Sequence, residues 1–95
     1  MDKINRKIIN DKRNLHRLVL IDWQDAYDNP DEIDVKDINI EGMIYQTPGF
    51  LLGIHNRHLV LGYNKEKPFK GVYKSYGAIP ESLITNVAIM DRNCD

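Results

Sequence analysis

Phe50-Leu51-Leu52-Gly53-Ile54-His55-Asn56-Arg57-His58-Leu59-Val60-Leu61-Gly62-Tyr63 decides the fold. The stretch is two apolar runs rich in β-forming residues, joined at Asn56-Arg57. A two-residue turn there pairs His55 with His58. Carried inward, that register pairs Ile54 with Leu59, Leu52 with Leu61 and Phe50 with Tyr63. All six apolar side chains then share one face, and Leu51/Gly62 and Gly53/Val60 fall on the other. A slip of one residue would mix the faces, so the pattern defends its own register. Asn tolerates positive φ and Arg does not, which leaves the turn type open. Pro48-Gly49 just upstream is the expected place for a bulge or bend.

The flanking segments extend a β reading. Residues 15–23 contain Leu18-Val19-Leu20-Ile21, a run suited to a strand buried on both faces. Residues 71–79 return as a strand that Pro80 stops. Pro80-Glu81-Ser82-Leu83 fits one tight helical turn, and residues 84–90 read as a last strand. Asn64 to Lys70 is a polar loop. At the start, Asp2 is an acceptable N-cap for a helix carrying Ile4, Ile8 and Ile9 near one face. A docked short helix and a disordered basic arm both fit residues 1–14. Residues 27–41 form a folded excursion: Asn29 as N-cap, Pro30 at the first helical position, and Ile33, Val35, Ile38 and Ile40 to bury. The expected fold class is mainly β, a small five-stranded bent barrel of Sm-like or Src-homology-3-like order with a possible N-terminal helix. Residues 1–14 are the arm, and residues 15–92 the single barrel domain. Likeness of fold order carries no function.

The 95-residue chain has a net charge of −1, but its charge is segregated. Residues 1–21 hold six Lys and Arg against Asp2 and Asp11, and residues 22–41 hold eight acids against Lys36. Such blocks speak to partners and self-association. Cys94 is the only cysteine, so no internal disulfide forms, and a reducing compartment fits. Nothing approaches the ~20 apolar residues of a membrane helix. The N-terminal stretch is polar and basic, unlike a secretory signal. The cytoplasm of a host cell is the expected location, with no membrane partner.

Four groups of residues carry a similarity. They are Ile21-Asp22-Trp23-Gln24-Asp25-Ala26, Thr47-Pro48-Gly49-Phe50-Leu51-Leu52, His58-Leu59-Val60-Leu61-Gly62, and Ala78-Ile79-Pro80 leading to Ile84. Together they resemble small proteins of tailed phages and prophages with a Trp-x-Asp-Ala element and a Gly-aromatic hairpin. The resemblance covers about residues 18–90. It implies an accessory protein, one that counters host defence, and supplies no catalytic residues. Pro48 inside the Thr-Gly element and the long basic N-terminus depart from that pattern.

No phosphate-binding glycine loop, nucleophile elbow or zinc-protease histidine pair is present, so no enzyme, cofactor or catalytic residue is expected. Acids recur at every third position from Asp22 to Asp37, but the tighter spacing of a calcium loop is missing. His55 and His58 share a hairpin tip, and two ligands without a third make no zinc site. Aromatics with polar tips are common binding groups. Tyr73 and Tyr76, three apart on a strand, face opposite ways, so one should be outside. Trp23 is the aromatic expected in the core. The expected ligand residues are Tyr73, Tyr76, Lys74, Asp25 and Thr47, taking a small anionic ligand of the nucleotide kind. Lys74 and the lysines between 65 and 70 would meet its charge. The acidic Asp28, Asp31, Glu32 and Asp34 would instead grip a host protein. A homo-oligomer is expected as well. Two other readings stand beside this one. The first is a nucleic-acid-binding barrel that uses the basic residues 3–17, although the acidic block would repel phosphates. The second is a structural virion component.

Overall fold

The computed structural model describes residues 1–25, 32–37 and 43–91. Helix α1 (Lys3–Asn10) leads into a 3-10 turn at Lys12–Asn14. Five strands follow: β1 (Leu18–Gln24), β2 (Ile44–His55), β3 (His58–Lys65), β4 (Tyr73–Pro80) and β5 (Ile84–Ile89). A 3-10 turn at Glu81–Leu83 separates the last two. All pairings are antiparallel, in one sheet of order β4-β3-β2-β1-β5. The fold is therefore mainly β, an open sheet with the strand order of a small bent barrel. No ladder joins β4 to β5 among the described residues, so these two strands are its edges.

The core is Ile9 from α1 with Val19, Ile21, Leu51, Leu59, Leu61, Ile79, Ile84 and Val87 from all five strands. Each such side chain contributes roughly 1.5–3 kcal/mol on burial. Alternation along the strands produces this set. In β1, Val19 and Ile21 are fully buried while Leu18 and Leu20 are only partly buried. That corrects the expectation of a strand buried on both faces. The opposite face of this sheet is only partly covered.

The turn at Asn56-Arg57 has positive φ at both residues (48° and 61°), as a type I′ hairpin requires. It pairs His55 with His58, Ile54 with Leu59 and Gly53 with Val60. Beyond Gly53 the expected register fails. Leu51, not Leu52, faces Leu61, and Phe50 faces Gly62 rather than Tyr63. Leu52 is the extra residue of a β-bulge made beside Gly53, whose φ of +98° suits glycine. The bulge keeps Leu51 and Ile54, three apart, both against the core. It turns Phe50 to the other face. No register break occurs at Pro48-Gly49, where β2 pairs regularly with Val19 and Leu20 of β1. Gly49 is instead a close crossing: a Cβ there would lie 2.8 Å from Leu61 Cβ.

Residues 1–14 are a docked helix and a turn, not a free arm. The Asp2 side chain caps α1 by accepting from the Asn5 N–H at 2.8 Å. Ile4 is 74% exposed, against expectation, and the buried polar residue is Asn5. The helix has its apolar side at Ile8 and Ile9, and Asn5 lies one turn before Ile9 on that side. The Asn5 carboxamide meets the outer edge of β5. Its Oδ1 accepts from the Val87 N–H at 3.0 Å, and its Nδ2 donates to the Thr85 carbonyl at 3.3 Å. At the other end of β5, Asp91 accepts from Arg17 Nε at 2.8 Å and from the Leu18 N–H at 3.1 Å.

The excursion is described in part. A 3-10 turn spans Val35–Asp37, and Ile33 and Val35 are exposed rather than buried. The expected helix start at Asn29-Pro30, with Ile38 and Ile40, lies outside the described residues, as does Cys94.

Candidate functional site

The outer face of the sheet carries an aromatic cluster around the start of β4. Four rings meet there: His16, Phe50, Phe69 and Tyr73. Tyr73 stacks on His16 with centroids 5.9 Å apart and tilts against Phe50 at 5.8 Å and Phe69 at 5.2 Å. His16 also lies 5.2 Å from Phe69. The Lys65 ammonium stands 5.0 Å over the Phe50 ring and 4.7 Å over the Phe69 ring. It donates to the His16 carbonyl at 3.2 Å.

Local sequence explains the assembly. The bulge at Leu52 puts Phe50 on this face. Gly62, opposite Phe50, has no side chain, and the Tyr73 ring occupies the vacant space. A Cβ on Gly62 would lie 2.7 Å from that ring. His16 sits just before β1 with a positive φ of 67°, its N–H donating to the Leu51 carbonyl at 2.7 Å. The loop from Glu66 to Val72 brings Phe69 back over the lysine.

The Tyr73 hydroxyl is 2.8 Å from His16 Nδ1. Burial pushes the Tyr73 phenol up from its ordinary value, so it stays an O–H donor at neutral pH. The rim is basic: Lys67 and Lys70 are exposed, and Lys74 pairs with Glu66 at 2.9 Å. The cluster therefore combines aromatic ring surface with positive charge.

The five sequence-derived ligand residues do not share this place. Tyr73 is central to it, and Lys74 is on its rim, engaged by Glu66. Thr47 belongs elsewhere: its hydroxyl accepts from Trp23 Nε1 at 2.9 Å, and Trp23 stacks on Tyr45 at 5.0 Å. Trp23 is thus half-buried with its indole N–H engaged, packing on the core edge rather than within it. Asp25 is exposed at the end of β1, its N–H bonded to the Met43 carbonyl. Tyr76 is the outward tyrosine, 75% exposed. No hydrogen bond, ion pair or ring contact among the described residues joins the Thr47, Tyr73 and Tyr76 neighbourhoods. Of the acidic set, Glu32 and Asp34 are exposed, and Asp34 accepts from the Lys36 N–H at 3.2 Å. Asp28 and Asp31 lie outside the described residues.

His16, Phe50 and Phe69 are the members that sequence reasoning missed. Phe50 was hidden by the bulge. His16 and Phe69 had only their residue type to mark them. The hairpin histidines stay local, His55 on the Leu52 carbonyl and His58 on the Asn56 carbonyl. No group of three or more metal-ligating side chains occurs among the described residues. No helix among them is long and apolar enough to cross a membrane. No family model, curated protein or solved structure matches this chain.

Proposed function

We propose that this chain is a non-catalytic binding module whose His16, Phe50, Lys65, Phe69 and Tyr73 cluster takes a small anionic ligand of the nucleotide kind. The observation that carries the reading is Lys65, a cation held against two exposed-side rings at 5.0 and 4.7 Å. A flat heterocycle stacks on such rings for about 1–3 kcal/mol per base. Its phosphate finds Lys65 at the end of β3 and Lys67 and Lys70 in the loop that follows. The motif resemblance to small phage proteins supports an accessory role, with capture of a host signalling nucleotide as the task, in the cytoplasm of the host cell.

The test is calorimetry and thermal shift with mono-, di- and cyclic nucleotides on the full chain. Wild type should bind one class, and Tyr73→Ala and Lys65→Ala should each weaken it at least tenfold while the circular dichroism spectrum is kept. No binding of any nucleotide at millimolar concentration rejects the reading.

A second reading has its own observation. The helix α1 is docked with Lys3 and Lys7 exposed, a fixed basic surface fit for nucleic-acid phosphates. Binding of single-stranded RNA that falls steeply with salt, and that fails in Lys3→Glu/Lys7→Glu, would favour it over the nucleotide reading.

A further inference from the structure

The two edges of the sheet are not alike. Just past β5 the Met90 N–H bonds inward to the Leu18 carbonyl, so Ala88 and Asn86 face β1 and Ile89 and Val87 face out, and the register shift beside Trp23 leaves the Thr85 carbonyl outward as well. The outward Thr85 carbonyl and Val87 N–H are both taken by the Asn5 carboxamide of α1. Asn5 thereby covers two of the outward groups of that edge. In β4 the Glu81 N–H bonds to the Arg57 carbonyl, and the ladder pairs Ile79 with Leu59, Gly77 with Leu61 and Ser75 with Tyr63. Alternation then turns the backbone N–H and C=O of Lys74, Tyr76 and Ala78 outward. No backbone or side-chain group among the described residues bonds to them.

We propose that β4 pairs antiparallel with β4 of a second copy, about a two-fold axis at Tyr76. The register follows from the residues. Only even positions carry outward groups, so even must face even. Tyr76 lies in the middle of β4, and Pro80 has no N–H to offer a register shifted toward it. With Tyr76 opposite Tyr76, Lys74 faces the second copy's Ala78 and Ser75 its Gly77. No like charges meet, and Lys74 is already neutralised by Glu66. The pairing covers Tyr76, 75% exposed in the single chain, with its own copy. It also closes an edge whose protections, Lys74 and Pro80, sit toward its two ends and leave the middle of the strand open. An edge paired with itself is isologous, the commonest closed symmetry. The pairing holds whether or not the aromatic cluster binds a nucleotide, since His16, Phe50, Lys65, Phe69 and Tyr73 are not bonding positions of the interface and Lys74, on the rim, enters it through its backbone alone.

Sedimentation velocity of the full chain without ligand tests this. The expected species has twice the 11.1 kDa chain mass. Ala78→Pro removes an outward N–H and no ladder bond, so it should yield a folded monomer. Tyr76→Lys, on a side chain already exposed, sets two lysines face to face and should do the same if the proline variant fails to fold. Tyr76→Cys should cross-link to a dimer under mild oxidation. A monomeric wild type, a species larger than two chains, or a Tyr76→Lys variant that stays dimeric overturns the proposal.

Discussion

Asn5 shows how much one side chain decides. It is 4% exposed, and its carboxamide satisfies two backbone groups of β5. Removing it leaves a buried N–H and a carbonyl without partners. Asn5→Ala should therefore cost about 2 kcal/mol, read as a lower urea midpoint at unchanged slope. Asn5→Asp should recover little, because a carboxylate accepts from Val87 and repels the Thr85 carbonyl. Asp11 is a milder case at the surface. The Arg13 guanidinium and N–H hold its carboxyl down to about 2 from an ordinary 3.8. A depressed folded value means that its contribution is complete above pH 3.8 and fades as pH falls toward 2. A carboxyl-detected NMR titration should show Asp11 as a late-protonating group, moved only part of the way back in Arg13→Gln, where the backbone N–H of position 13 remains. The capping role of Asp2 was legible in the sequence, since an acid before a helical run has few other uses. The role of Asn5 was not: an Asn inside a helix looks like a mild defect until its partner 82 residues away is in view.

At the scale of elements, the hairpin was legible where apolar alternation and turn spacing agree, from His55/His58 to Gly53/Val60. It was illegible past Gly53, because a bulge leaves the pattern looking regular. Six apolar residues still line up on paper if Leu52 is counted in the ladder. The single hint was a glycine inside a strand, and two stood near, Gly49 and Gly53. Gly49 serves a close contact and Gly53 a positive φ, and both uses read alike in sequence. The difference is testable. Gly53→Val places a β-branched residue at a φ of +98° and should destabilise the domain by about 1–2 kcal/mol or more. The same variant should shift Phe50, and so change the near-ultraviolet circular dichroism of the Tyr73 cluster. The edge elements were the easiest to read. Pro80, the single turn at Glu81–Leu83 and the last strand fall within a residue or two of expectation, because proline and a short polar turn act locally.

For the whole molecule, strand count and order followed from a handful of short apolar runs. The binding surface did not. It is assembled from a residue before β1, one in β2, one ending β3, one in a loop and one opening β4. Only the tertiary pairing brings these five together. Charge blocks were visible at once, yet the cations that matter most are Lys65 and its neighbours in a mildly basic loop, rather than the basic N-terminal run. That run folds onto the sheet and uses part of its charge internally, as Arg17 does on Asp91 and Arg6 on Glu81.

The contact between Asn5 and β5 also sets how far assembly can proceed. A sheet with two open ends can recruit a copy at each, and nothing in its chemistry tells it when to stop. Asn5 takes two backbone groups at one end and places α1 across it, which obstructs strand addition there and leaves β4 as the open place for the first arrival. Stoichiometry is then a property of one carboxamide. The Asn5→Ala protein, where it stays folded, should sediment as a concentration-dependent series instead of one boundary. A stability mutation and a growth mutation would be the same mutation.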